Sequence, residues 1–120
     1  MYREIKFSSF RRKKKYGNKS AEYNGARYDS KFESKVAQEL DLRKAAGELV
    51  EIQRQVTISL DVNGYHVCNY RIDFIATHVD GMVEYIEAKG FATREWMLKW
   101  KLFEALYADK ENVKLTVVRQ

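Results

Sequence analysis

Two turn dipeptides, Asn63-Gly64 and Asp80-Gly81, divide the middle of this chain into three runs in which apolar residues recur at every second position. No other feature constrains the fold as tightly, because such dipeptides between alternating runs are strong hairpin signals. The runs are predicted to be consecutive antiparallel strands over residues 49–60, 65–78 and 82–89. In the first, Val56, Ile58 and Leu60 share a face. In the second, Cys68, Tyr70, Ile72, Phe74 and Ala76 make an apolar face, and Asn69, Arg71 and Asp73 lie opposite. In the third, Val83, Tyr85, Glu87 and Lys89 share one face and Ile86 and Ala88 the other.

The second turn decides whether Asp73 and Glu87 meet. A two-residue loop at Asp80-Gly81 sets Glu87 opposite Phe74, on the wrong face. A three-residue loop, Val79-Asp80-Gly81 with Gly81 left-handed, sets Asp73 opposite Glu87. The three-residue loop is the expectation. It also sets Arg71 opposite Lys89, a like-charge pair that needs an anion or a carboxylate between its members.

Helices flank the strands. Ser30 and Glu33 read as a capping box for a helix over residues 30–46 that stops at Gly47, with Arg43 and Lys44 suiting its C-terminal dipole. On the helical wheel Glu33 falls inside the arc of Phe32, Val36, Leu40 and Ala37. Two readings of it stand: an inward carboxylate that needs a partner, or the closing half of the capping box. A second helix is predicted after Thr93, reaching residue 108, with Trp96, Trp100, Phe103 and Tyr107 as its core stripe. Arg94, Lys99 and Lys101 can lie outside that stripe. A last strand covers residues 113–118.

The chain of 120 residues suits one domain. Residues 1–28 read as a basic arm with one short hairpin at Asn24-Gly25, and residues 29–120 as the folded domain. The net charge of +5 is concentrated in Arg11, Arg12, Lys13, Lys14 and Lys15, which points to a polyanionic partner. No apolar run approaches the ~20 residues of a membrane span, and no secretory signal follows the basic N-terminus. The lone Cys68 cannot form an internal disulfide, which fits the cytoplasm and excludes a cysteine-rich zinc site. It reads as strand filler. His66 and His78 read as surface or turn residues.

Asp73 and Glu87 supply the hard oxygen ligands that Mg²⁺ or Mn²⁺ prefers, and the Ala88 carbonyl is a further candidate ligand. Lys89, on the Glu87 face, can orient water and share negative charge. The competing reading is a cross-strand salt bridge of little energetic consequence.

At Ile72-Asp73 and Glu87-Ala88-Lys89 the chain resembles the PD-(D/E)XK nuclease superfamily. Tyr28-Asp29-Ser30-Lys31-Phe32-Glu33, Gln55 and Glu87-Ala88-Lys89-Gly90-Phe91 look like the short phage and prophage nuclease-like proteins of that superfamily that resemble Holliday junction resolvases. Ile72 stands where the superfamily has proline, and Val56 where the shorter family has proline after the glutamine. The resemblance spans residues 20–118. It implies an α+β, restriction-endonuclease-like αβββαβ core with a mixed sheet flanked by helices. It also implies Mg²⁺- or Mn²⁺-dependent cleavage of a DNA phosphodiester by Glu33, Asp73, Glu87 and Lys89. Asp73, Glu87, Ala88 and Glu33 would hold the metal, with Gln55 either near the site or merely polar on its strand. Arg11 to Lys15, Arg71, Lys99 and Lys101 would meet the nucleic acid. Branched DNA, a homodimer and the cytoplasm of a bacterial host, if the chain is phage-encoded, follow as narrower expectations. A DNA-binding accessory module that does not cut is the alternative. A nuclease acting on RNA or duplex ends is a third reading.

Overall fold

Asn63 (φ 52°) and Gly64 (φ 85°) are both left-handed, as a two-residue turn between right-twisted strands requires. They join β4 (Leu49–Val62) to β5 (Tyr65–His78) in a long antiparallel hairpin. Then β6 (Val83–Lys89) adds antiparallel to β5, and β7 (Val113–Arg119) adds parallel to β6 after α2 (Arg94–Tyr107). With α1 (Lys31–Ala45) ahead of β4, the element order is αβββαβ. The architecture is α+β, a mixed sheet with a helix packed on each face, in keeping with a restriction-endonuclease-like core. The computed structural model describes residues 2–6, 21–23, 26–28 and 31–120, with side chains from residue 31 onward.

The residues described within the expected arm, 2–6, 21–23 and 26–28, form strands. Tyr2–Lys6 forms β1, which pairs parallel with β7 and makes the sheet five-stranded in the order β1-β7-β6-β5-β4. Five residues without sustained periodicity carry no strand signal of their own; the unpaired edge of β7 supplies the partner. The hairpin expected at Asn24-Gly25 is present as β2 (Ala21–Tyr23) paired with β3 (Ala26–Tyr28), while the turn residues themselves lie outside the described residues. Arg11 to Lys15 and Ser30, the N-terminal half of the expected capping box, also lie outside them.

Helix α1 buries Phe32, Val36, Ala37 and Leu40 against Leu49, Phe74, Ala76, Ile86 and Val118. It ends in a Schellman motif: Glu48 N–H donates to Arg43 O and Gly47 N–H to Lys44 O, with Gly47 at φ 88°. Helix α2 starts at its expected cap, Thr93, whose hydroxyl accepts the Trp96 N–H at 3.1 Å. Its Trp100 and Phe103 pack with Tyr70, Ile72, Leu115 and Val117 on the other side of the sheet. Among the described residues no helix is long and apolar enough to cross a membrane.

A charged residue of β6 is built into the α1 side of the core. Glu84, 1% exposed, accepts the Thr116 hydroxyl at 2.6 Å and pairs with His78 at 2.8 Å and Arg43 at 3.6 Å. Burial works against its ionisation, but the Thr116 and His78 hydrogen bonds and the charges of Lys114 and Arg43 hold its carboxyl below the usual range. His78, expected at a surface or turn, is thus part of a buried network that ties α1, β5, β6 and β7 together.

Candidate functional site

The turn between β5 and β6 takes the expected three-residue form. His78 N–H donates to Met82 O, Gly81 N–H donates to His78 O, and Gly81 lies at φ 95°. Asp80 Oδ1 accepts the Met82 N–H at 2.9 Å and rigidifies the loop. The resulting register pairs Thr77 with Val83 and Phe74 with Ile86, which brings Asp73 into line with Glu87. Backbone pairing stops there. Ala88 N–H donates instead to Asp73 Oδ2 at 2.9 Å, so the acid itself replaces a ladder acceptor.

The alternation of faces expected for β5 does not persist along the strand. Tyr70 and Ile72 pack on the α2 side, whereas Phe74 and Ala76 pack on the α1 side. The switch falls at Asp73. Across the hairpin β4 switches too: Val56, Ile58 and Leu60 join the α2 cluster, whereas Leu49 and Ile52 join the α1 cluster. The residue at that point is Gln55, left-handed at φ 53°, and the ladder passes from Arg54–Phe74 to Val56–Ile72 without pairing Gln55 to Asp73. A period-two reading assumes unbroken extended backbone, and one left-handed residue overturns it. The crease sets Asp73 between the two faces of the sheet instead of on one of them.

The crease brings in Glu33. Its side chain is buried, and Oε2 accepts a hydrogen bond from Gln55 Nε2 at 3.3 Å. The inward reading of Glu33 therefore holds, and Gln55 is a direct neighbour of the site. Arg71 donates to Gln55 Oε1 and extends the chain Arg71–Gln55–Glu33. The face-to-face contact expected between Arg71 and Lys89 does not form, because the ladder has ended and each cation has found its own partner. Lys89 Nζ lies 3.4 Å from Glu87 Oε2 and 4.8 Å above the Trp96 ring.

Glu87 is 3% exposed, and its other oxygen accepts the Tyr70 hydroxyl at 2.7 Å. Trp96 Nε1–H donates in turn to the Tyr70 oxygen at 3.2 Å. Neither aromatic was flagged as part of the site by sequence reasoning, which placed Tyr70 in an apolar face and Trp96 in a core stripe. The available signal was the hydroxyl: a Tyr in a buried run must find a hydrogen-bond partner, and a Phe need not.

Burial, followed by the charges of Glu87 and Glu33, pushes the Asp73 carboxyl up to about 9, against the smaller opposing effects of the Ala88 N–H and Lys89. Burial also raises Glu87, although Lys89 and the Tyr70 hydroxyl pull the other way. Among the described residues, the site thus gathers carboxyls whose ionised forms outnumber the lysine beside them. That donor set fits Mg²⁺ or Mn²⁺, which bind through one or two carboxylates and complete their shells with carbonyl, water and phosphate oxygens. Asp73 and Glu87 are the candidate ligands, with the Ala88 carbonyl beside them. Among the described residues, no group of three or more His, Cys, Asp or Glu side chains comes together tightly enough to hold a metal by itself. Glu33 is near enough to raise Asp73 but is tied to Gln55, so the three acids share a field without sharing a focus.

The remaining expected contact residues are on the surface or outside the described residues. Lys101 is exposed on α2, and Lys99 pairs with Glu95 at 3.4 Å one turn away. Arg11 to Lys15 lie outside the described residues. Cys68 packs at the border of the α2 cluster, in keeping with a filler role.

Neither the curated proteins nor the solved structures contain a match to this sequence. A family model does match, over residues 13–120, which takes in every element from β2 to β7 and so the whole constellation of Glu33, Gln55, Asp73, Glu87 and Lys89. With nearly the full chain covered, the protein belongs to the family described as "Protein of unknown function (DUF1064)".

Proposed function

We propose that this protein is a metal-dependent endodeoxyribonuclease of the PD-(D/E)XK type. The observation that carries the reading is the Asp73–Glu87 pair, a half-buried and a buried carboxyl raised in pKa by burial and by neighbouring acids, with Lys89 adjoining as a cation. Strongly perturbed carboxyls cluster at functional sites. When bound, Mg²⁺ or Mn²⁺ supplies Lewis acidity to a phosphoryl oxygen and acidifies water. Asp73, fixed by the Ala88 N–H, and Glu87, fixed by Tyr70, would hold the ion. Lys89 would donate to the scissile phosphate or to the incoming water and offset charge as it builds on phosphorus. Water would add to phosphorus and give up a proton to solvent, one P–O ester bond would break, and the leaving alkoxide would take a proton from solvent, giving a phosphomonoester and an alcohol.

The substrate we infer is DNA, with branched junctions as its narrower form. The resemblance at residues 28–33, 55 and 87–91 supports this, as does the basic block of Arg11 to Lys15. Arg71, Lys99 and Lys101 are candidate phosphate contacts. A homodimer would make paired cuts in opposing strands natural, and a bacterial cytoplasm is the setting that fits. One observation favours the second reading, a DNA-binding accessory module that does not cut: the three acids do not converge. Four-way junction, linear duplex and single-stranded DNA should be incubated with the protein in Mg²⁺, Mn²⁺ or EDTA, alongside Asp73→Asn and Lys89→Ala. Metal-dependent cutting that both variants lose supports the nuclease. Tight DNA binding without cutting in either metal supports the accessory module.

A further inference from the structure

Trp96 touches both halves of the candidate site at once. Its indole N–H donates to the Tyr70 oxygen at 3.2 Å, and its ring lies 4.8 Å beneath the Lys89 ammonium. An indole N–H is a donor only. The Tyr70 oxygen must therefore accept from Trp96, and the single hydroxyl proton is directed to Glu87 Oε1, 2.7 Å away. The relay Trp96 to Tyr70 to Glu87 has one permitted direction.

That direction has a geometric consequence. Glu87 is held at Oε1 by Tyr70 and at Oε2 by Lys89, so the plane of its carboxylate is set from both ends. Each carboxylate oxygen has two lone-pair sites, and one on each remains for a cation. Trp96 in turn is placed by the first turn of α2, where its backbone N–H is capped by Thr93. The Tyr70 ring is packed against Trp100 and Phe103, with centroids 6.2 and 5.3 Å away. The hydroxyl can therefore be removed without removing the packing.

We propose that Tyr70 and Trp96 are positioning residues that orient the Glu87 carboxylate and the Lys89 ammonium for a divalent cation. The inference rests on the metal-dependent reading of the site. Residues in this outer layer typically change metal affinity by about 10- to 100-fold when substituted. Tyr70→Phe and Trp96→Phe break the same relay at two links, while both keep an aromatic ring in place. Each should weaken Mn²⁺ binding by about 10-fold, and the double variant should be no more than about 2-fold weaker than either single, since links of one network are not additive.

The test is calorimetric titration of the full chain with Mn²⁺ for wild type, both single variants and the double variant, together with thermal melts in EDTA. Loss of affinity in both singles, non-additivity in the double and unchanged melts in EDTA support the relay. Wild-type affinity in either single variant overturns it, as does a fall in the EDTA melts with affinity intact, which assigns the pair a packing role only. A wild-type chain that binds no Mn²⁺ overturns the metal-dependent reading and this inference with it. Should Tyr70→Phe fail to fold, Trp96→Phe alone decides between the first two outcomes.

Discussion

Glu84 and Glu87 lie three residues apart on the same strand, 1% and 3% exposed, and they have opposite electrostatic fates. Glu84 faces α1, where a hydroxyl, a histidine, an arginine and a lysine hold its carboxyl below the usual range. Glu87 faces α2 with other acids for company, and its carboxyl is raised. Burial is common to both. The difference is compensation: among the described residues, one buried carboxylate is held by several positive or donating groups, and the other has Lys89 and the Tyr70 hydroxyl against two neighbouring acids. The first arrangement holds elements together, and the second suits an ion brought from outside.

The comparison breaks most readily at Asp73. Asp73→Asn removes a candidate ligand but keeps the shape, and DNA cleavage in Mg²⁺ should fall by at least about 10³-fold, a loss on the scale of deleting a principal electrostatic contributor. Glu84→Ala should act on the other side of the contrast. It strands His78 and Arg43 beside a hole in a packed network and should cost about 3 kcal/mol in urea denaturation, whether or not metal is present. Should Glu84→Ala instead leave stability intact and abolish cleavage, the roles of the two acids would have to be exchanged.

The pH dependence sharpens the same contrast. A carboxyl raised in the folded state binds its proton more tightly there than in the unfolded chain, so its contribution favours folding at low pH and is lost as pH climbs. Asp73 is raised to about 9. Metal-free wild type should therefore lose stability between the ordinary carboxylate range and about pH 9, and Asp73→Asn should flatten that fall. Glu84, lowered in the folded state, has the opposite sign. Its contribution is present above the unfolded carboxylate range and is lost on acidification, so Glu84→Ala should flatten the acid side. Denaturation midpoints measured from pH 4 to 9 check both slopes.

Local chemistry made much of the site legible before any coordinates. Asp80-Gly81 dictates a turn, the turn dictates the register, and the register aligns Asp73 with Glu87. Gly47 dictates the end of α1, and the wheel position of Glu33 anticipates its inward side chain. What escaped was set by distant parts of the chain. Gln55 adopts a left-handed conformation inside a strand, an uncommon state for a residue other than glycine and one that local propensity does not encode. Tyr70 and Trp96 meet across 26 residues of sequence. The strand Tyr2–Lys6 exists because β7 offers it an edge more than a hundred residues later. The period-two pattern correctly found the strands and failed where they crease, at Gln55 and Asp73.

The central proposal is that the Asp73–Glu87 pair takes a divalent cation, and thermal melts of wild type and Asp73→Asn in EDTA and in excess Mn²⁺ test it most directly. In EDTA at neutral pH the variant, relieved of the cost of keeping the Asp73 carboxyl protonated far above its ordinary range, should melt higher by about 5 °C, the shift expected for roughly 1 kcal/mol in a domain of this size. In Mn²⁺ the order should invert, because only wild type gains the binding free energy, about 2.7 kcal/mol at a hundredfold excess over the dissociation constant. A variant that melts below wild type in EDTA, or that gains as much as wild type from Mn²⁺, would contradict the claim.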